Sequence, residues 1–168
     1  MITDLLTKDT ICFSKEVSNW EEGIRLAAKP LLENGSIEEG YVTACINSVK
    51  TLGAYIVLAP LLAMPHARAP ELVNKMSLSY LNLEKPVNIL DDPERPAKTF
   101  ILLATKDNNE HLDILATLGN TLADDEKLDR LLYATKAEEV LETISDEGAK
   151  KGVTEDEDSS SMWQRTRE

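Results

Sequence analysis

The sequence predicts a single α/β domain, a mixed β-sheet with helices packed against it, with α+β as the neighbouring class. Three observations carry this. Apolar residues recur at helical spacing near both ends of the body. Short apolar runs rich in β-branched residues lie between them, bounded by glycine and proline. No internal repeat and no Gly/Ser linker divides the 168 residues.

The elements follow in chain order. Ser18 and Glu21 have the spacing of a capping box, and Trp20, Ile24, Ala27 and Leu31 then form one apolar stripe. Asn34-Gly35 ends that helix. Ser36 and Glu39 repeat the capping signal, and Val42, Cys45, Ile46 and Val49 make the next apolar face. The period then changes. Tyr55–Ala59 is a continuous apolar run between Gly53 and Pro60, the pattern of a buried strand. Met76–Leu81 alternates as a half-covered strand does, Pro86–Leu90 reads as a short edge strand, Asp91–Pro96 as a turn and Thr99–Ala104 as another buried strand. Leu112, Leu115, Leu118 and Leu122 give a helical stripe within 111–122, and 126–133 and 137–144 read as two further helices. The body therefore spans residues 1–145. Residues 146–168 are polar, with four consecutive acids at Glu155–Asp158, and read as an acidic, mobile tail.

Composition excludes several functions. Eighteen Lys and Arg face 30 Asp and Glu, a net charge of −12. Such a chain is poorly suited to gripping nucleic acid or an anionic membrane. The longest apolar stretch, Ala54–Met64, is broken by Pro60 and falls well short of the ~20 residues a membrane helix needs. No signal-peptide pattern opens the sequence. The two cysteines, Cys12 and Cys45, form neither a disulfide framework nor a zinc motif. These features predict a cytoplasmic protein with reduced thiols, Cys45 being a core residue.

Two histidines concentrate the chemistry. His66 follows an apolar strand in Ala63-Met-Pro-His-Ala-Arg68, and Pro65 stiffens its approach. A neutral imidazole there can act as nucleophile, base or ligand. His111 opens a helix after a strand and a polar loop, where outward-pointing amides favour anions and the helix dipole disfavours imidazolium. Arg68 could hold phosphate oxygens bidentately or simply lie on the surface. Phosphate-binding glycine motifs are absent, and Asp91, Asp92 and Glu94 match no metal loop.

Ala63-Met-Pro-His66 resembles the active-site signature of the mannitol/fructose-type enzyme IIA components of the bacterial phosphoenolpyruvate-dependent sugar phosphotransferase system. Gly53-Ala-Tyr-Ile-Val-Leu-Ala-Pro60 with Met-Pro-His-Ala-Arg68 is more similar still to the ascorbate-specific branch. So are Leu78–Asn88 and Leu103–Ala116, and the resemblance spans roughly residues 1–145. Two departures stand out: Leu61 occupies a place typically held by glycine, and Arg68 is followed by Ala-Pro-Glu-Leu-Val rather than Pro-Glu-Asp-Gly.

The resemblance implies a single domain whose mixed sheet carries helices on both faces. It implies a phosphocarrier that takes a phosphoryl group from phospho-HPr on His66 and passes it to a cysteine of enzyme IIB, the membrane component IIC being served indirectly. The sugar would be ascorbate or a related sugar acid or pentitol. His111 would steady the phosphoryl oxygens with nearby amides, Arg68 would be a weaker phosphate contact, and Ala59, Leu61, Leu62 and Met64 could form an apolar docking rim. No cofactor or metal is expected, because the donor is already an activated phosphoramidate. A homodimer is compatible with this. The competing readings are a regulatory enzyme IIA-like module acting on a transcription factor or transporter, and a metal-dependent hydrolase, which lacks a third ligand of recognisable spacing.

Overall fold

The computed structural model describes residues 2–145. The acidic tail expected at 146–168, Trp163 included, lies outside the described residues. Five strands form one sheet in the order β1-β4-β5-β3-β2: β1 (Ile11–Ser14), β2 (Val57–Ala59), β3 (Leu61–Ala63), β4 (Ser77–Asn88) and β5 (Pro96–Ala104). The sheet is mixed. β1 runs parallel to β4 and β3 parallel to β5, while β4 opposes β5 and β2 opposes β3.

Helices cover both faces. On one side lie α2 (Trp20–Glu33) and α3 (Glu39–Leu52), and on the other α1 (Ile2–Leu5), α4 (Asn108–Leu122), α5 (Asp125–Tyr133) and α6 (137–145). The stripe of α2 is buried as its spacing predicts: Trp20, Ile24, Ala27 and Leu31 all face the core. Gly23 on the same helix lets it press onto the sheet, since a Cβ there would sit 2.8 Å from the Phe100 ring. Val42, Cys45, Ile46 and Val49 of α3 are buried likewise.

The caps differ from those the spacing suggested. Asn19, not Ser18, caps α2 by accepting from the Glu22 amide at 2.8 Å. At α3 the N-cap is Glu38, without a side-chain bond. Ile37 is drawn into an extended bridge with Val73, so the helix begins only after it. Asn34 and Gly35, at φ +80°, close α2 as expected.

The strands carry the larger corrections. The run at 55–59 is not a buried strand. Only Val57–Ala59 pairs, at the sheet edge, and Leu58 is 46% exposed. After Pro60 the chain reverses through Leu61, at φ +69°, into β3, which takes the interior place. Met76–Leu81 and Pro86–Leu90 belong to one twelve-residue strand, β4, with a register shift between Asn82 and Val87. Its residues Ser77–Leu83 are buried throughout, because helices cover both faces of a strand flanked by β1 and β5. In α4, Leu118 is buried with Ile114, but Leu112 is 62% exposed.

One polar cluster is embedded beside this core. Asn82 donates to Leu132 O at 3.0 Å and Ala134 O at 2.9 Å, and accepts from Lys98 Nζ at 2.8 Å and Thr99 Oγ1 at 3.0 Å. Lys98 also donates to Leu132 O and lies over the Tyr133 ring. The buried ammonium thus rests on the Asn82 side-chain oxygen and on one backbone carbonyl, Leu132 O, at the end of α5, where the helix dipole is negative.

Candidate functional site

His66 lies just past the carboxyl end of β3, and α4 begins just past the carboxyl end of β5. These strands are parallel neighbours, so their carboxyl ends share one rim of the sheet. That is where open α/β sheets place ligands. The topology brings the two histidines together across 45 residues of sequence: their ring centroids are 5.2 Å apart, tilted by 53°. His66 is half-buried, as is His111. Arg68 is exposed and makes no ion pair among the described residues.

The backbone around His66 is tied down on several sides. Met64 N–H donates to Ile56 O at 2.7 Å, and Leu103 N–H donates to Pro65 O at 3.0 Å. The His66 ring is fixed too. Its Nδ1 lies 2.8 Å from Met64 O. A carbonyl only accepts, so Nδ1 carries the proton and Nε2 presents a lone pair. Burial pushes the His66 pKa below the ordinary value near 6.5, and the bond to Met64 O offsets this in part. His111 is lowered by burial first, then by the positive charges His66 and Arg68 would place beside it. Both shifts favour the neutral ring at pH 7.

The amides available to an anion differ from those expected at the start of α4. Asp107 caps that helix, accepting from Glu110 N–H at 2.7 Å, and its carbonyl takes His111 N–H. Ala67 N–H donates to the Tyr41 hydroxyl. The amides of His66 and Arg68, by contrast, donate to nothing among the described residues.

The expected docking rim is only partly present. Leu62 and Met64 are fully buried, because β3 is an interior strand and these alternate residues point into the core beneath α4–α6. Ala59 and Leu61 are half-exposed. The large exposed apolar side chains here are Leu58 and Leu112. A groove of about 270 Å³, lined in part by Leu58, Ala59, Met64 and Leu115, runs between β2 and α4.

Sequence reasoning missed Tyr41 and Tyr55. Tyr55 counted as a strand residue, yet its hydroxyl donates to His66 O at 2.8 Å and its ring meets the imidazole edge-on at 5.2 Å. Its nearness to Pro60 and the Met-Pro-His segment was the only available signal. Among the described residues no group of three or more His, Cys, Asp or Glu could hold a metal ion. No described helix is long and apolar enough to cross a membrane.

Comparison with known proteins points the same way as the geometry. The family model described as phosphoenolpyruvate-dependent sugar phosphotransferase system, EIIA 2, matches residues 4–147. The ascorbate-specific PTS system EIIA component of Escherichia coli (strain K12) is 32% identical over 141 residues, covering 83% of this chain and 92% of the relative. The mannitol-specific cryptic phosphotransferase enzyme IIA of Escherichia coli superposes with a TM-score of 0.78 at 31% identity, covering 87% of this chain and 99% of its own. Escherichia coli enzyme IIA for mannitol, solved in complex with phosphorylated enzyme IIB, superposes with a TM-score of 0.73 at 27% identity, over 84% and 99%.

Proposed function

We propose that this chain, which belongs to the type-2 EIIA family of the phosphoenolpyruvate-dependent sugar phosphotransferase system, carries its phosphoryl group on Nε2 of His66. Family membership makes it a phosphotransferase component and a phosphocarrier. The finer reading is that phospho-HPr is the donor and a cysteine of a cognate enzyme IIB the acceptor, in the cytoplasm. The observation that carries the assignment to His66 is its Nδ1–H bond to Met64 O, which leaves Nε2 as the lone-pair nitrogen 5.2 Å (ring to ring) from His111.

The steps follow from these groups. The Nε2 lone pair attacks phosphorus in line, a new N–P bond forms, and the donor's N–P bond breaks with its electron pair returning to the donor imidazole. The Nδ1 proton stays in place, and Met64 O stabilises the positive charge that develops on the ring. Transfer of this kind passes through a loose state with charge on three equatorial oxygens, so positioned donors contribute most. His111, the free amides of His66 and Arg68, and the Arg68 guanidinium are the candidate donors. For delivery, the thiolate of enzyme IIB attacks phosphorus, an S–P bond forms and the Nε2–P bond breaks. Exposed Leu58 and Leu112 offer apolar contact to a docking partner, and the net charge of −12 suits one with basic residues around its phosphate site.

Ascorbate or a related sugar acid or pentitol is the sugar we assign to the pathway, supported by the 32% identity to the ascorbate-specific component and by the stretch 53–68. Phosphorylation with phosphoenolpyruvate, enzyme I and HPr tests the reading. One acid-labile phosphoryl group per chain is expected, none on His66→Ala, and slower labelling of His111→Ala. Wild-type labelling of His66→Ala would refute the site. Faster delivery to a mannitol-type than to an ascorbate-type enzyme IIB would refute the sugar.

A further inference from the structure

The peptide unit between His66 and Ala67 is held at both poles by tyrosine hydroxyls. Its carbonyl accepts from Tyr55 OH at 2.8 Å. Its N–H donates to Tyr41 OH at 3.1 Å, and that hydroxyl in turn donates to Leu103 O at 2.7 Å. The two tyrosines come from different places: Tyr41 from α3, Tyr55 from the segment entering β2. Neither bond belongs to regular secondary structure, and neither is needed to satisfy strand pairing. Burial raises the pKa of both phenols, so both stay protonated and act as hydroxyls rather than as acids or bases.

We propose that Tyr55 and Tyr41 are positioning residues for phosphoryl transfer, acting as a two-point clamp on the peptide plane that follows His66. This rests on the reading of His66 as the phosphoryl carrier. A peptide plane has two soft neighbours, here ψ of His66 and φ of Ala67. Fixing both its poles fixes these torsions and forbids a flip. ψ of His66 in turn sets where the imidazole leaves the chain. With Nδ1 bound to Met64 O and the Tyr55 ring edge-on against the imidazole, the ring direction is set as well. The clamp also decides which amides remain for an anion. Ala67 N–H is committed to Tyr41, whereas the amides of His66 and Arg68 stay free. In-line attack tolerates little error, and a misplacement near 1 Å can cost about a hundredfold in rate.

Two hydroxyls on one plane have a signature that independent contacts lack. Either loss releases the plane, so the second loss adds little. The experiment is single-turnover labelling by phospho-HPr of the wild type, Tyr55→Phe, Tyr41→Phe and the double variant, each over a range of donor concentrations. Both rings are kept, so packing is largely preserved. Tyr55 is only half-buried, and its variant is the safer of the two should Tyr41→Phe fold poorly. Each single variant is expected to lower the transfer rate constant about ten- to a hundredfold, with an unchanged half-saturating donor concentration. The double variant should match the slower single one. The imidazole titration of His66 in Tyr55→Phe, read by NMR, should stay at its wild-type midpoint, which separates lost positioning from lost burial. Wild-type rate constants in both single variants, or a double variant whose loss is the product of the two, would overturn the clamp while leaving the carrier reading intact. A wild-type chain that takes no label on His66 would instead overturn that reading, and the clamp with it.

Discussion

Asn82→Leu isolates the buried polar cluster with little change in side-chain volume. The wild-type amide uses both faces: two N–H groups on Leu132 O and Ala134 O, and one oxygen shared by Lys98 and Thr99. In the variant, Leu132 O keeps Lys98 as a donor, and Lys98 keeps Leu132 O. Ala134 O and the Thr99 hydroxyl lose the partners named here, and Thr99 is fully buried. Leaving a buried polar group unpaired costs about 1–3 kcal/mol. Two such groups give a loss of about 3 kcal/mol, a large share of the ~5–15 kcal/mol that holds a typical domain. Urea unfolding followed by circular dichroism is the assay. With a slope of about 2 kcal/mol/M the midpoint should fall by about 1.5 M, and the melting temperature by about 6–12 °C. A variant within 0.5 kcal/mol of wild type, on the scale of ~0.5 kcal/mol typical of unimportant surface changes, would show that this cluster does not fasten α5 to the sheet.

Two further outcomes are expected. Leu61 sits at φ +69°, where a side chain costs about 1–2 kcal/mol and glycine does not. Leu61→Gly should therefore be more stable than Leu61→Ala by about 1 kcal/mol in urea unfolding, and the reverse order would place Leu61 in an ordinary conformation. Both histidines have pKa values lowered in the fold, against about 6.5 in the unfolded chain. Between the folded values and 6.5 the unfolded chain binds more protons, so stability is full above about pH 6.5 and declines as pH falls through that window. Histidine NMR titration should give midpoints below 6.5, and a His66 midpoint at or above it would contradict the neutral imidazole.

Much of the architecture was legible because its signals are local. The stripe Trp20-Ile24-Ala27-Leu31 and the face Val42-Cys45-Ile46-Val49 need only helical spacing to declare themselves, and both are buried as read. β1 was missed because Ile11–Ser14 is four residues long and becomes a strand only by pairing with β4, some 70 residues away. β3 was hidden by its turn. A leucine at positive φ gives no hint of a reversal, so Pro60 read as the end of a strand rather than the corner between two. The half-covered reading of Met76–Leu81 failed because serines at 77 and 79 look solvent-facing. Ser79 is instead buried and donates to Ala27 O at 2.6 Å. At the site, His66, His111 and Arg68 could be named from the sequence. The tyrosines could not, because their partners are backbone atoms brought within reach by the fold.

The claim that bears most weight is that Nε2 of His66 carries the phosphoryl group, since the Nδ1 bond to Met64 O assigns the free lone pair to it. Nitrogen–phosphorus correlation NMR on the phosphorylated, ¹⁵N-labelled chain reads this directly. Coupling of phosphorus to Nε2 of His66 is the predicted result. Coupling to Nδ1 of His66, or to either nitrogen of His111, would contradict it.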